Sequence, residues 1–210
     1  MPFAFRIVLR EGVLPIAAFL IAPFGATAVA AHAVATRVVD LTGVFAFGFS
    51  DAANMRVSHA LGAAMPHRAS RAGWIAIQLS TCVSALIPAG VMTEPSVLAR
   101  WVFGDADPVG SAAAAALLPV AAWVVVLDGV QSGAGGALSG LRDAQGPLLI
   151  SIVGSWAVGL PAGLLLARLT TAPVIGMWCG LIAGSCLTTC LYLHRFRTKM
   201  AAAAGLWPAA

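Results

Sequence analysis

Long apolar runs, interrupted by short clusters of charged residues, glycine and proline, organise this chain. A helix needs about 20 mostly apolar residues to cross a bilayer, and the sequence contains six such runs. They predict membrane-spanning helices at residues 3–24, 26–53, 74–92, 112–137, 147–169 and 174–193. The first is the least regular, because Arg6, Arg10 and Glu11 fall inside it. The pattern predicts one six-helix bundle over residues 1–199, followed by a disordered tail at 200–210.

The composition supports the same class of protein. Of the 210 residues, 60% are hydrophobic and only 10% are charged, and the mean hydropathy is +0.93. A soluble domain carries roughly 25% charged residues, so we predict an all-α integral membrane protein embedded in the lipid bilayer. The amino-terminal residues lack a short apolar core followed by a small-residue cleavage site. We therefore expect no cleavable signal peptide.

The distribution of cations predicts the orientation of the bundle. Lys and Arg accumulate in cytoplasmic connections. With both termini in the cytoplasm, Arg100 and Arg168 fall outside and nine cations fall inside, namely Arg6, Arg10, Arg56, Arg68, Arg71, Arg142, Arg195, Arg197 and Lys199. This asymmetry predicts a multi-pass protein of the inner (plasma) membrane with both termini cytoplasmic. It also accounts for the net charge of +4, so we expect no nucleic-acid partner.

Asp128 is the most informative single residue, because it lies inside the fourth predicted span. Gln131, Ser132, Gly135 and Ser139 follow it at helical spacing and give that side of the helix a polar or small character. A carboxylate within the bilayer is costly and needs a partner, a proton or a cation. Two interpretations stay open. Asp128 is either a packing residue satisfied by another helix or a sodium-ion or proton site in a cavity lined by Gln131 and Ser132.

A second polar stripe runs along the second predicted span. His32, Thr36 and Asp40 fall near one face and are further candidates for cavity lining. Arg37 precedes Asp40 by three residues, so the two can form an ion pair on the same helix. For His32, contact with interfacial water and a role in a proton relay both remain open.

The chain carries little that points to catalysis. Cys82, Cys179, Cys186 and Cys190 lie inside predicted spans without a CxxC partner, so we interpret them as small packing residues. No nucleophile motif, zinc motif or phosphate-binding glycine loop is present. The sequence predicts no enzyme, no cofactor and no metal apart from a possible sodium ion at Asp128.

Two features predict helix geometry. The glycine-rich segment "SGAGGALSG" lies within the fourth span and favours close packing of a neighbouring helix. Pro161, in "GLPAG", predicts a kink in the fifth span, because proline leaves a carbonyl group of the preceding turn without its donor.

Several blocks of the sequence, in order, resemble the multidrug and toxic compound extrusion (MATE) family. They are "GATAVAAHAVATRVVDL", "MRVSHALG", "ASRAGW", "DGVQSGAGGALSGLRD" and "SWAVGLPAGLLL". Together they cover nearly the whole chain. They match only the second half of that family, the lobe made of its last six helices.

The resemblance implies an antiporter that expels small cationic or amphipathic compounds in exchange for sodium ions or protons. In the family, the first and fourth helices of this lobe each provide a carboxylate to a cation site. Asp128 matches the fourth-helix acid without a gap. Arg10 stands where the family has its glutamate, and Glu11 follows one residue later. The resemblance therefore implies either that Glu11, one residue out of register, is the second cation or proton ligand, or that Arg10 replaces the ion with a fixed positive charge. Arg37 also replaces a family asparagine, and Asp51 stands where the family is normally apolar, which suggests either altered coupling or relaxed constraint on a chain that no longer works.

A single lobe provides only half of a family transporter. Alternating access moves one repeat against the other around a central site, so the resemblance implies either a homodimer or a missing N-terminal lobe. The expected function is multidrug efflux by a half-length or truncated chain. The alternative is a non-transporting membrane scaffold or an inactive fragment that needs a partner lobe.

Overall fold

The computed structural model describes residues 12–94, 96–97, 108–143 and 145–206. Regular structure within these ranges is entirely helical. The six main helices are α1 (Val13–Ile21), α2 (Ala26–Gly62), α3 (Pro66–Thr93), α4 (Pro108–Gly140), α5 (Gln145–Leu169) and α6 (Pro173–Leu206). A 3-10 turn, Ala22–Phe24, extends α1 up to Gly25, where the chain turns into α2 with a φ of 106°.

Length and apolar character confirm the all-helical membrane architecture. Helices α2 to α6 are each long and apolar enough to cross a membrane, and α1 with its 3-10 turn forms a shorter apolar helix. The beginning of the first predicted span, with Arg6, Arg10 and Glu11, lies outside the described residues. Each described helix corresponds to one predicted span, in the predicted order.

Helix ends differ from the predicted spans, mainly on one side of the bundle. Helix α2 continues to Gly62 rather than ending at residue 53, and α3 begins at Pro66 rather than at residue 74. Hydropathy misses these ends because they carry Arg and His, which suit the headgroup region without breaking a helix. The prediction of a disordered tail from residue 200 is wrong for residues 200–206, which continue α6. The alanine run at 201–204 explains this, since alanine has the highest helix propensity.

Close contacts along α4 confirm the packing predicted from its glycines. A Cβ atom on Gly133 would lie 2.8 Å from the Cα atom of Ile77 in α3. On the other side, a Cβ atom on Gly140 would lie 2.9 Å from the Cβ atom of Val57 in α2. The absence of side chains at these positions lets α4 approach two helices at once and places it at the centre of the bundle.

Helices α5 and α6 pack through a second set of glycines. In α6, Gly176, Gly180 and Gly184 recur every four residues and lie against α5. The predicted irregularity before Pro161 takes the form of a π-helical segment, Ile152–Gly159. At its end the N–H of Leu160 donates to the carbonyl oxygen of Ser155, five residues earlier. This i to i−5 hydrogen bonding is consistent with the presence of Pro161, which has no backbone N–H to donate.

Two clusters of buried side chains form the core, one at each end of the bundle. The first contains Ile21, Leu117, Leu118, Met177 and Trp178, and the second contains Val57, Ile77, Leu138, Tyr192 and Phe196. The four cysteines are not part of either cluster. All four are free thiols exposed on the outside of the bundle, so the interpretation of them as interior packing residues is wrong.

Candidate functional site

Asp128 lies deep within the central helix. Helix α4 has 33 residues, of which 20 precede Asp128 and 12 follow it. Its side chain is half-buried, between the buried Val125 and the buried Gly129. The position places an ionisable group well away from both helix ends, at a surface of the bundle that is only partly covered by this lobe.

Gln131 and Ser132 contribute to helix packing beside Asp128. The Gln131 side-chain amide donates a hydrogen bond of 3.3 Å to the carbonyl oxygen of Ser185, which joins α4 to α6. Ser132 is buried within the bundle. Gln131 and Ser132 thus lie between helices, and Asp128, three and four residues before them on the same helix, is of intermediate burial.

His32 is buried at the junction of three helices. The indole N–H of Trp178, on α6, donates to Nδ1 of His32 at 3.1 Å. An indole nitrogen is a donor only, so Nδ1 accepts and the proton of the neutral ring resides on Nε2. That nitrogen lies 3.2 Å from the carbonyl oxygen of Leu14 on α1, to which it donates. In this conformation His32 links α1, α2 and α6 as a neutral ring.

Thr36 and Asp40 lie in different surroundings from one another. The Thr36 hydroxyl donates to the His32 carbonyl oxygen at 2.9 Å. Asp40 lies 3.8 Å from Arg37, with side-chain exposures of 56% and 86%. The ion pair that the spacing suggested is present, but it lies on the outer surface of α2. Asp40 is thus separated from the buried environment of His32.

The structure brings the predicted site residues together only in part. Asp128, Gln131 and Ser132 share one region of α4, whereas His32 with Thr36 and Asp40 with Arg37 form two other groups. The predicted ligand Glu11 lies outside the described residues. Within the described ranges, no three His, Cys, Asp or Glu side chains are grouped so that they could hold a metal ion.

An exposed stripe on α2 was not recognised in the sequence. Its members recur every three or four residues along one side of the helix, and we call them the α2 outer stripe: Ala33, Arg37, Asp40, Val44, Phe47, Asp51 and Met55. Their spacing was visible in the sequence. Which side of α2 stays uncovered depends on where α3, α4 and α6 pack, and the sequence did not indicate that.

An ion pair outside the spans ties the α4–α5 connection to α6. Asp143 accepts hydrogen bonds from the Arg195 side chain at 2.5 and 3.0 Å. Its Oδ1 atom also accepts from the Gly146 N–H at 3.3 Å. Hydrogen bonding to the Arg195 guanidinium holds the pKa of the Asp143 carboxyl below its ordinary value. This contact stabilises the start of α5 against α6.

Comparison with known families assigns the chain. The family model described as MatE matches residues 2–165, well over half of the 210-residue chain. This chain belongs to the MatE family. The assignment confirms the resemblance found in the sequence and the all-helical membrane fold. The relatives and solved structures that this chain resembles are named as multidrug resistance proteins and transporters, and not as enzymes.

Similar proteins show what share of a MatE protein this chain corresponds to. A probable multidrug resistance protein NorM of Brucella suis biovar 1 is 33% identical over 204 residues, which cover 96% of this chain and 43% of that protein. Two solved structures of multidrug resistance MATE family transporters, outward-facing and inward-facing, share the fold with TM-scores of 0.83 and 0.81 at 17% and 18% identity. The match to the outward-facing structure covers 95% of this chain and 44% of that protein. The match to the inward-facing structure covers 98% of this chain and 48% of that protein. The MatE chain described here spans less than half the length of these proteins.

Proposed function

We propose that this chain forms one lobe of a cation-coupled multidrug efflux transporter of the MatE family, with Asp128 binding the coupling ion. The observation that carries the proposal is the half-buried Asp128 carboxylate in the middle of α4. The names of the relatives support the transport of drugs, and the coupling ion is either sodium or a proton. We expect no cofactor.

The cost of the membrane environment favours an ion-binding role for Asp128. A carboxylate at the centre of a membrane helix costs about 2.5–3.5 kcal/mol or more when it faces lipid. That cost is avoided when the group faces a water-filled cavity and exchanges a proton or a cation there. Gln131 and Ser132 do not ionise, so the Asp128 carboxylate is the group on this face best suited to bind and release an ion.

The charges on the α2 outer stripe support the presence of an opposing lobe. Arg37, Asp40 and Asp51 are exposed within a helix that is long and apolar enough to span the membrane. Lipid contact at these positions would be costly, and a second lobe would cover them and close a cavity for a small cationic or amphipathic substrate. A homodimer or an N-terminal lobe such as that of the longer relatives would supply it.

The proposed motion is rocking of this lobe as a unit. Its fold is similar to both an outward-facing and an inward-facing transporter structure, with nearly equal TM-scores. That similarity supports a lobe whose internal packing changes little while its position relative to the opposing lobe alternates. We further propose an inner-membrane location with both termini cytoplasmic, as the distribution of cations suggests.

Efflux from proteoliposomes tests the role of Asp128. The chain is reconstituted with its opposing lobe, if a separate one is needed, and export of ethidium is measured under a sodium gradient and, separately, under a pH gradient. Asp128→Asn is expected to abolish gradient-driven export. The matched control is Glu94→Gln, which removes an exposed carboxylate at the end of α3.

The outcomes separate transport from other roles. Loss of export in Asp128→Asn and its retention in Glu94→Gln would support the proposal, and the gradient that drives the wild type identifies the coupling ion. Undiminished export by Asp128→Asn would exclude this residue as the ion carrier. Absence of export by the wild type with a complete opposing lobe would favour the scaffold alternative.

A further inference from the structure

A cavity of about 560 Å³ lies where the ends of α2 and α4 meet the last turns of α6. It is distinct from the region of Asp128, because it adjoins the end of α4. Its wall is partly apolar and partly cationic, and its main members are Ser58, Leu61, Leu141, Arg142, Lys199 and Ala203. The cavity is large enough for a small polar group with an adjoining apolar segment.

Positive charge exceeds negative charge around this cavity. Asp143 is the carboxylate closest to its cations, and it already accepts two hydrogen bonds from Arg195. The Lys199 ammonium lies 4.0 Å from the same carboxylate. The Arg142 guanidinium is exposed and makes no ion pair or side-chain hydrogen bond with any described residue. Arg195 and Lys199 therefore share one carboxylate and Arg142 has none among the described residues, which leaves an excess of two positive charges.

Some backbone carbonyl groups in the last turns of α2 and α4, next to the cavity, are already hydrogen-bonded. At the end of α2, the Met65 N–H donates to the Ala60 carbonyl oxygen at 2.9 Å. At the end of α4, the Asp143 N–H donates to the Leu138 carbonyl oxygen at 3.0 Å. Such closing turns use the carbonyl groups that would otherwise repel an anion at a helix C-terminus. The charged side chains are left as the main polar groups facing the cavity.

We propose that this cavity binds the headgroup phosphate of an anionic phospholipid. Arg142 and Lys199 would contact the phosphate, whereas the Ser58 hydroxyl at the edge of the cavity already donates to the Met55 carbonyl oxygen at 3.1 Å. Leu61, Leu141 and the alanines of α6 would lie along the glycerol and the first part of an acyl chain. Arginine and lysine are the side chains that bind phosphate most readily.

The surroundings favour a lipid over free phosphate as the source of this group. The cavity lies at the end of the bundle that carries seven of the nine described Arg and Lys residues, namely Arg56, Arg68, Arg71, Arg142, Arg195, Arg197 and Lys199. Basic pockets between membrane helices are a recurrent binding site for anionic headgroups. The apolar part of the wall would have no function for inorganic phosphate.

Titration of the delipidated full chain in detergent micelles tests this proposal. Native mass spectrometry measures binding of phosphatidylglycerol, phosphatidylcholine and inorganic phosphate. We expect tight binding of one phosphatidylglycerol, which weakens about fivefold for each cation removed in Arg142→Gln and Lys199→Gln. The matched control is Arg68→Gln, which removes an exposed cation at the same end of the bundle but outside the cavity.

Each outcome decides the proposal. A preference for phosphatidylglycerol that is lost in the double variant and kept in Arg68→Gln supports it. Should the double variant fail to fold, Arg142→Gln must weaken the preference and Arg142→Lys must retain it. Equal binding of phosphatidylcholine, an unchanged preference in the variants, or inorganic phosphate binding as tightly as the lipid would each overturn it.

Discussion

The indole N–H of Trp178 donates to Nδ1 of His32 across a distance of 3.1 Å, although 146 residues separate the two in the chain. The rings meet edge to face, with centroids 5.6 Å apart. Both side chains are buried, so this contact attaches the last helix to the second and, through the carbonyl group of Leu14, to the first. A histidine that suggested a proton relay is, in this conformation, a junction between helices.

Trp178→Phe is expected to lower the free energy of unfolding by about 1–3 kcal/mol, because it leaves the buried Nδ1 atom without its donor. Thermal unfolding in detergent measures the effect. Trp123→Phe is the control, since Trp123 is 63% exposed and its replacement should change the melting temperature little. Equal shifts in both variants would contradict the structural role of the hydrogen bond.

Asp143→Asn is expected to destabilise the protein by about 2 kcal/mol, between the values for exposed and fully buried ion pairs. Arg195 lowers the pKa of Asp143, so the contribution of the pair is complete above the unfolded-state pKa of about 3.9. It is lost as the pH falls through the lower folded-state pKa.

Melting temperatures between pH 7 and pH 3 test that pH dependence. The difference between wild type and Asp143→Asn should shrink below about pH 4. Glu94→Gln is the control, because Glu94 is exposed at the end of α3 and an exposed carboxylate contributes at most about 1 kcal/mol. A constant difference across the pH range would show that the charge of Asp143 does not account for its effect.

Gly136→Ala is expected to cost about 1–3 kcal/mol or more, as is typical of overpacking. A Cβ atom at this position would lie 2.7 Å from the Cα atom of Ser50, and the backbone of α2 cannot move without separating two helices. Gly48→Ala is the matched control, since a Cβ atom there meets nothing within 4 Å. That change should be neutral or stabilise the helix by about 0.5–1 kcal/mol.

Ala64→Gly is expected to raise the melting temperature. Ala64 follows α2 with a φ of 57°, a left-handed conformation that costs a residue with a Cβ atom about 1–2 kcal/mol. Glycine removes that cost but loses about 0.4–1 kcal/mol through the entropy of the unfolded chain, so the net gain is between zero and about 1.6 kcal/mol. Ala63→Gly, at the neighbouring residue with φ of −83°, should instead destabilise the protein.

Much of the architecture could be predicted from sequence because the bilayer imposes a length on each helix. Runs of about 20 apolar residues located every membrane helix, and the glycines of α4 indicated close packing before any partner was known. The position of Asp128 inside the fourth span also follows from sequence. Helix ends such as Gly62 and Leu206 could not be predicted from the sequence, because hydropathy falls at the membrane surface while the helix continues.

The sequence by itself determined the number and order of helices, their membrane environment and the intramembrane position of Asp128, all of which depend on local composition. Only the tertiary structure decided that His32 contacts Trp178, that Asp143 pairs with Arg195 and that Arg37, Asp40 and Asp51 lie exposed on the outside of α2. The physical reason is that such contacts depend on the rotation and axial position of one helix relative to another. Helical periodicity shows which residues share a face, but the packing of neighbouring helices determines what that face contacts.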